Sequence, residues 1–218
     1  VRGERAVHEI FEKSGNKNLD LIVASLSSFE SIRTLANTIN EKYDHLDVLI
    51  NNAGAYYSRR HVTADGIEAT FNINYLSRFL LTNLLLPLIK KSSHGRIINV
   101  SGEAHRFGKI HFEDLMFEKC YNSMKAVRQS KLADVLFTYE LSRRLRDTNI
   151  LVNCMNPGAV ATNSIDNNPD IASFFKCCYK IIRPFLKSPE EGAKTIIYLA
   201  TADDLDGITG KYFIDNRH

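Results

Sequence analysis

Residues 46–54 read Leu-Asp-Val-Leu-Ile-Asn-Asn-Ala-Gly, and this stretch decides the fold. Apart from Asp47, its first five residues form an apolar run without alternation, which is typical of a strand covered on both faces in a parallel sheet. The run ends at residues 51–54, which are small or polar. Ligands of parallel sheets bind just beyond the carboxyl ends of the strands, where small residues let them approach the backbone. Alone, the stretch is equally consistent with an ordinary strand-to-loop turn.

Length and composition are those of an ordinary globular domain. The chain has 218 residues, of which 44% are hydrophobic and 24% charged, so we expect a single domain over residues 1–218 with a substantial core. Basic residues exceed acidic ones by 28 − 25 = 3, and no basic run is dense enough to favour a nucleic-acid partner.

Cysteine spacing bears on metal binding and on the cellular compartment. An adjacent pair and two scattered residues match neither a metal site nor the framework of a secreted disulfide-rich protein; the four are Cys120, Cys154, Cys177 and Cys178. We therefore expect reduced thiols, no metal and an intracellular location.

Membrane-spanning and targeting signals are also lacking in the sequence. No apolar run approaches the roughly 18 residues that a membrane span needs. The nearest, residues 79–89, is interrupted by Thr82, Asn83 and Pro87. The first residue is Val1 and no signal peptide is evident, so we expect no transmembrane segment in this chain.

Strand and helix patterns alternate along the chain. Strands are predicted at residues 19–24, 46–50, 96–101, 150–155 and 211–214. Helices are predicted at residues 2–14, 65–91 and 123–146, with two further helices beginning at a Ser27–Glu30 capping box and at Ser188-Pro189 with Glu191. This alternation predicts an α/β fold, a three-layer parallel sheet flanked by helices.

Several separate stretches together resemble one family. They are Asn51-Asn52-Ala53-Gly54, Asn74, Ile98-Asn99-Val100-Ser101, Ser130-Lys131-Leu132-Ala133, Asn156-Pro157-Gly158 and Gly210-Lys211-Tyr212-Phe213. In this order and spacing they resemble the short-chain dehydrogenase/reductases, in the branch that contains the retinol dehydrogenases. The resemblance implies a Rossmann-like fold and hydride transfer between NADP or NAD and an alcohol or carbonyl. Substrates in this branch are retinoids, steroids or lipid-derived aldehydes.

The family's mechanism uses a Tyr as acid/base, a Lys four residues later, a Ser at the end of the preceding strand and a helical Asn. The resemblance places the catalytic Lys and Asn at Lys131 and Asn74. Val127 occupies the Tyr position and Gly102 the Ser position, so neither proton-handling group is present. Loss of positioned acid/base catalysis typically costs about 10²- to 10⁴-fold in rate, so we expect weak or no activity.

Three neighbouring residues carry groups that could exchange a proton in place of the missing Tyr and Ser. Ser101 lies next to Gly102, but successive strand side chains point to opposite faces, so its hydroxyl is expected to aim away from the pocket. Tyr121 and His105 have family counterparts without an acid/base role. For all three we favour a structural role.

The cofactor site is expected to be incomplete. No glycine-rich turn of the kind that seats the pyrophosphate occurs in this chain, and Ser25 stands where the family has an adenine-binding Asp. The nicotinamide half is implied at Asn52, Ala53, Gly54, Lys131, Pro157, Gly158 and Thr162. Binding of NADP or NAD is therefore expected to be weak.

The resemblance also bears on topology, because the chain begins in what resembles the helix after the family's second strand. We expect a Rossmann-like domain that lacks the first two strands, so that residues 19–24 either pair directly with 46–50 or pack loosely. Alternatively, the chain is a fragment of a longer protein. Two intervening strands from this same chain would contradict the hypothesis.

Two functions stay open. One is a working oxidoreductase acting on a small apolar alcohol or carbonyl, with a homodimer and a cytoplasmic or endoplasmic-reticulum-associated location as further expectations. The other is a non-catalytic interaction or ligand-binding module. Residues 174–185 correspond to the family's substrate-side lid, although an aromatic stripe of this kind is more often core; the stripe comprises Phe174, Phe175, Tyr179, Ile181, Ile182 and Phe185.

Overall fold

The computed structural model describes residues 2–162, 170–171 and 173–218. Its centre is a four-stranded, wholly parallel sheet with the order β1-β2-β3-β4. The strands are β1 (Val48–Asn51), β2 (Arg96–Val100), β3 (Leu151–Asn156) and β4 (Tyr212–Ile214). Four predicted strands are therefore confirmed, and their carboxyl ends lie along one edge of the sheet.

Helices connect the strands, as parallel pairing requires. They are α1 (Arg2–Ser14), α2 (Phe29–Lys42), α3 (Ala69–Phe71), α4 (Ser77–Ile89), α5 (Ser123–Arg144), α6 (Ser173–Ile182) and α7 (Pro189–Thr201), with a π-helical turn, Asn72–Leu76, between α3 and α4. Short 3₁₀ turns are formed by Glu103–Phe107, Phe112–Asp114, Arg183–Phe185 and Asp203–Leu205.

Each face of the sheet is covered by a separate apolar cluster. On one face, side chains of α2, α4 and α5 pack on the strands, including Ala36, Leu85, Ile97, Phe137 and Val152. On the other face, α7 packs on the sheet through Ile98, Val100, Met155, Leu199 and Phe213. The predicted three-layer α/β architecture is confirmed.

Residues 19–24 are not a strand, so that prediction is wrong. They lie in irregular structure after α1, with Leu21 44% and Val23 86% exposed. In the described sheet β1 pairs only with β2, so direct pairing of residues 19–24 with the β1 region is also wrong, and loose packing is confirmed. The physical reason is that an apolar extended segment needs an adjacent ladder to become a strand.

Helix α1 ends as predicted at Gly15, whose φ of +67° closes the last turn. Its apolar stripe, however, is not buried: Ile10 is 49% and Phe11 38% exposed. The sequence pattern of α1 therefore predicted the helix but not a covered face.

Helix α2 begins one residue later than predicted. Its N-cap is Ser28, whose side chain accepts from the backbone N–H of Ser31, whereas Ser27 bonds the hydroxyl of Ser25 at 2.8 Å. The predicted Ser27–Glu30 capping box is wrong because a second serine follows the first and takes the cap. The capping box of Ser188 and Glu191 at α7 is confirmed.

The predicted helical region 65–91 is shorter and interrupted. Both carboxylate oxygens of Glu68 accept hydrogen bonds from backbone N–H groups at the start of α3, and α4 ends at Ile89.

Within the described residues no helix is both long and apolar enough to cross a membrane.

Candidate functional site

Lys131 lies where α5 crosses the carboxyl end of β2. Its ammonium donates to the carbonyl oxygen of Val100 at 3.1 Å. Gly102 follows β2 in an extended conformation, and a Cβ on it would meet no atom within 4 Å. Val127 is partly buried one helical turn before Lys131, on the same helix face. The predicted Lys, Tyr and Ser positions are therefore grouped at one edge of the sheet.

Asn74 connects this edge to the loop after β1. The side chain is buried in the π-helical turn, and it exchanges two hydrogen bonds with the backbone of Ala55, at 2.7 and 3.0 Å. Its Nδ2 also donates to the hydroxyl of Ser130 on α5 at 3.2 Å. The amide thus holds the exposed loop of residues 52–54 at a fixed distance from α5.

A buried ion pair that the sequence analysis missed lies beside Lys131. Arg78 donates through Nη1 to Asp134 at 2.5 Å and to the carbonyl oxygen of Val100 at 2.9 Å. Its Nη2 donates to the carbonyl oxygen of Ala53. The side chains of Arg78 and Asp134 are 2% and 0% exposed. One arginine therefore connects the ends of β1 and β2 to α5.

This pair had a sequence signal. Arg78 stands in the otherwise apolar or uncharged stretch of α4, and Asp134 lies between apolar residues of α5. A charge inside an apolar helix is rarely buried without a partner. Burial raises the pKa of Asp134 to about 6, against the opposing attraction of Arg78 and Lys131. Asp134 Oδ1 and Arg78 Nε have no hydrogen-bond partner among the described atoms.

The surroundings of Lys131 make its ammonium easier to deprotonate than that of an exposed lysine. Burial, followed by the positive charge of Arg78, lowers the pKa of Lys131 to about 8, although Asp134 and Cys154 act in the opposite direction. Burial also raises the pKa of the Cys154 thiol to about 12, so this cysteine is a thiol at neutral pH.

Ser101, Tyr121 and His105, the three neighbours with proton-exchanging groups, all make structural contacts. The hydroxyl of Ser101 donates to the backbone carbonyl of Lys131 at 3.1 Å. Tyr121 donates to the carbonyl of Tyr57 at 3.0 Å, and burial raises its pKa to about 12. His105 shares a hydrogen bond with the carbonyl of Gly102, in the turn that follows β2.

Further positions of the implied cofactor site lie in the loop after β3. Gly158 adopts a φ of +80°, and its N–H donates to the side chain of Asn156 at 2.9 Å. The carbonyl of Thr162 accepts from the hydroxyl of Tyr179 at 2.9 Å. This loop, which includes Pro157, therefore begins at the same sheet edge as Lys131.

Ser25 does not join that group by any described hydrogen bond. Its hydroxyl bonds Ser27 and its backbone N–H donates to Ser31, both at the start of α2. The exposed Ser25 side chain thus serves the local turn.

The family model described as "short chain dehydrogenase" matches residues 1–171. The chain belongs to the short-chain dehydrogenase family. Among curated relatives, this short-chain dehydrogenase is 44% identical over 191 residues to mouse (Mus musculus) retinol dehydrogenase 14, covering 87% of the chain and 57% of the relative. It is 42% identical to the human (Homo sapiens) protein of that name, covering 93% and 60%. The chain therefore spans about three fifths of these relatives' length.

Solved structures support the same fold. A protein from Mycobacterium paratuberculosis superposes with a TM-score of 0.66 at 30% identity, covering 90% of this chain and 63% of that one. A short-chain dehydrogenase from Escherichia coli, solved in complex with NADPH, superposes with a TM-score of 0.68 at 22% identity, covering 97% and 80%. The second likeness shows the fold alone.

Several positions of the implied cofactor site are open or exposed at one edge of the sheet. Gly102 leaves open space just after β2, and residues 52–54 are exposed at the same edge of the sheet. Ser25, by contrast, makes only local hydrogen bonds among the residues that the structure describes. Within the described part of the short-chain dehydrogenase, no group of three or more His, Cys, Asp or Glu side chains could hold a metal ion.

The aromatic stripe of residues 174–185 is only partly described. Tyr179 is buried, but Ile181, Ile182 and Phe185 are 69%, 51% and 88% exposed, so the interpretation of those three as core is wrong. The side chains of Phe174 and Phe175 lie outside the described part.

Proposed function

We propose that this chain is a fold-retaining short-chain dehydrogenase whose hydride transfer between a nicotinamide cofactor and an apolar alcohol or carbonyl is weak or lost. The observation that carries the proposal is Val127, which stands one helical turn before Lys131 and has no proton to exchange. Gly102 likewise offers no hydroxyl to hold a substrate oxygen. Both positions therefore lack a hydroxyl group at the point where the family's chemistry needs one.

Neighbouring groups do not replace the missing donors. The hydroxyl of Ser101 is directed to the backbone of α5. The hydroxyl of Tyr121 is held by Tyr57, and its raised pKa of about 12 opposes ionisation at neutral pH. A general acid must reach the reacting atom before its pKa matters, and these two groups are bound elsewhere.

The family cofactor would be held by the nicotinamide-side residues of this chain. These are Asn52, Ala53, Gly54, Lys131, Pro157, Gly158 and Thr162. When bound, NADP or NAD supplies or accepts the hydride. Asn74 would position the loop of residues 52–54, and Lys131 would donate to the ligand in place of Val100. We propose that binding is weak, because Ser25 offers only a local hydroxyl where an adenine-binding carboxylate is expected.

A second candidate function is that of a non-catalytic interaction or ligand-binding module. The outward-facing Ile181, Ile182 and Phe185 favour it, since adjacent exposed apolar side chains are typical of contact surfaces. For both candidate functions we also propose a homodimer. The proposed location is intracellular, in the cytoplasm or at the endoplasmic reticulum.

Calorimetric titration with NADPH and a turnover assay with an apolar aldehyde test the proposal. The unmodified chain is expected to show weak binding and no turnover above background. The double variant Val127→Tyr, Gly102→Ser restores both hydroxyls, and Gly102 has room for the serine because no atom lies within 4 Å of its Cβ position. We expect it to be at least about 10-fold more active than the unmodified chain, given the usual size of acid/base contributions.

The matched control is Val127→Phe, Gly102→Ala, which adds the same ring and methyl carbon without either hydroxyl. This control is expected to remain inactive. Robust turnover by the unmodified chain would overturn the proposal, and equal activity of the two double variants would show that the hydroxyl groups are not what is missing.

A further inference from the structure

Three neighbouring apolar side chains at the end of α6 are exposed to solvent. Ile181 is 69%, Ile182 51% and Phe185 88% exposed, the last in the 3₁₀ turn that follows the helix. Their spacing along the chain is that of one apolar stripe on a helix. These three residues are called the α6 surface below. Adjacent exposed apolar side chains of this kind are typical of a site that contacts a partner.

Helix α6 is attached to the rest of the fold by a buried tyrosine. Tyr179 is 5% exposed, and its hydroxyl donates to the carbonyl oxygen of Thr162 at 2.9 Å. The helix therefore has an inner side that holds it on the loop after β3. The α6 surface lies next to this attachment along the chain, so its apolar side chains are presented outward from an anchored helix.

Charges on the same segment have one sign. No acidic residue occurs in α6 or in the stretch that joins it to α7. Lys176, Lys180 and Arg183 are four and three residues apart, so they form a basic stripe on one side of the helix. Lys187 follows them, but it is paired with Asp215 and is not counted. An apolar stripe combined with a basic stripe is the pattern of a helix that lies in the interface of an anionic bilayer.

Charge also distinguishes a bilayer from a second copy of the chain as the occupant of this surface. In a symmetric dimer the same surface of both copies meets, so the two basic stripes come close to each other. Juxtaposed like charges oppose that contact. An anionic bilayer instead attracts the cations and takes up the apolar side chains, while long Lys and Arg side chains reach the headgroups.

We propose that the α6 surface and its basic stripe bind this chain peripherally to bilayers that contain anionic lipids. Ile181 and Phe185 enter the boundary between headgroups and acyl chains, and Lys180 lies at the level of the phosphates. Each cation near such a surface typically adds about 5-fold to the binding constant. The inference rests on the second candidate function in that it names a partner for the same exposed surface, and it does not depend on the loss of hydride transfer.

Tryptophan fluorescence locates the contact, because the chain contains no tryptophan of its own. Phe185→Trp places a single reporter in the α6 surface. Ile197→Trp is the matched reporter on α7, where Ile197 is 56% exposed. The whole chain carrying either reporter is titrated with phosphatidylcholine vesicles, with and without about 30% phosphatidylserine. With the anionic vesicles, the emission of Phe185→Trp is expected to shift to shorter wavelength and that of Ile197→Trp to stay unchanged.

Flotation with the same vesicles measures the strength of binding. Ile181→Ser combined with Phe185→Ser is expected to lower the affinity at least about 10-fold, because two apolar side chains no longer leave water. Lys180→Glu changes two units of charge and should also lower it at least about 10-fold. Ile197→Ser and Lys194→Glu, both on α7, are the controls and should bind like the unmodified chain. Raising the salt from about 0.1 M to about 0.5 M should release the chain, because the charges are then screened.

Four outcomes would overturn the inference. The first is no binding to anionic vesicles, and the second is equal binding to neutral vesicles that salt does not weaken. The third is full affinity in the variant with both serines, which would assign the contact to another surface. The fourth is a lipid-free dimer that Phe185→Ser dissociates, without vesicle binding, which would assign the α6 surface to a second copy of the chain. Nucleotide-dependent turnover by a vesicle-binding chain would contradict only the proposed loss of hydride transfer.

Discussion

Arg78 and Lys131 donate hydrogen bonds to the same acceptor, the carbonyl oxygen of Val100 at the end of β2, at 2.9 and 3.1 Å. Asp134 balances one of these two cations by its 2.5 Å contact with Arg78. The positive charge of Arg78 acts with burial to lower the pKa of Lys131 to about 8. Arg78 therefore holds the sheet edge together and also contributes to the lowered pKa of Lys131.

The first prediction concerns this ion pair. Arg78→Met leaves Asp134 buried without its partner and also removes the bonds to Val100 and Ala53. Breaking a buried pair on one side typically costs about 3–5 kcal/mol, so the free energy of unfolding is expected to fall by about that amount. Urea unfolding followed by circular dichroism measures the change.

The matched control is Arg143→Met, which breaks the exposed pair with Glu140 on α5 and should leave the unfolding midpoint nearly unchanged. The double variant Arg78→Met, Asp134→Leu removes both charges and should be more stable than Arg78→Met alone. Equal loss in Arg78→Met and Arg143→Met would contradict a structural role for the buried pair.

The second prediction is a pH dependence. The pKa of Lys131 is lowered to about 8 in the folded chain, whereas an unfolded lysine titrates near about 10.4. Between these values the unfolded state holds a proton that the folded state has released, so stability rises with pH. The free energy of unfolding is expected to increase from about pH 8 to pH 10 relative to that of Lys131→Met.

Urea unfolding of both proteins at pH 7, 8, 9 and 10 measures this difference, and the comparison cancels the titration of the other groups. A difference that stays flat, or that falls as the pH rises, would show that Lys131 is not desolvated in the folded chain.

The third prediction tests the corrected start of α2. Ser28→Ala removes the side chain that caps the N–H of Ser31, and loss of an N-cap costs typically about 1 kcal/mol. Ser27→Ala removes only the exposed hydroxyl contact with Ser25, so it should cost less. Thermal unfolding compares the two variants. A larger loss in Ser27→Ala would restore the cap position expected from the sequence.

Most of the sheet was predictable because its strands carry strong local signals. The run before Asn51 and the runs at 96–101 and 150–155 are mainly apolar, and each is followed by small or polar residues. Burial on both faces requires that pattern, and it leaves little choice of structure. Residues 19–24 carry the same pattern without a neighbouring ladder, so pairing, which is not a local property, decided that segment.

The candidate site was predictable in position but not in its electrostatics. Helical spacing places Val127 and Lys131 on one face of α5, and strand ends bring Gly102 next to them. Arg78 and Asp134, which are in contact, lie on different helices and are 56 positions apart in the sequence. Such a contact follows from how the helices pack, so spacing along the chain could indicate two unusual charges but not their pairing.

The fourth prediction concerns the outer edge of β1, which has no neighbouring strand in the described sheet. Ile50 on this strand is 41% exposed. Unpaired apolar edges favour association between molecules, and a lysine on an edge strand opposes it because its charge would have to be desolvated. Ile50→Lys is therefore expected to reduce concentration-dependent self-association, measured by light scattering over a dilution series.

Ile197→Lys is the control. Ile197 is 56% exposed on α7, so this substitution adds the same charge away from the strand edge. If net charge alone governed association, the two variants would behave alike. If the β1 edge governs it, only Ile50→Lys should scatter less light than the unmodified chain at equal concentration. Equal effects of the two substitutions would therefore assign the association to the general surface and not to the unpaired strand.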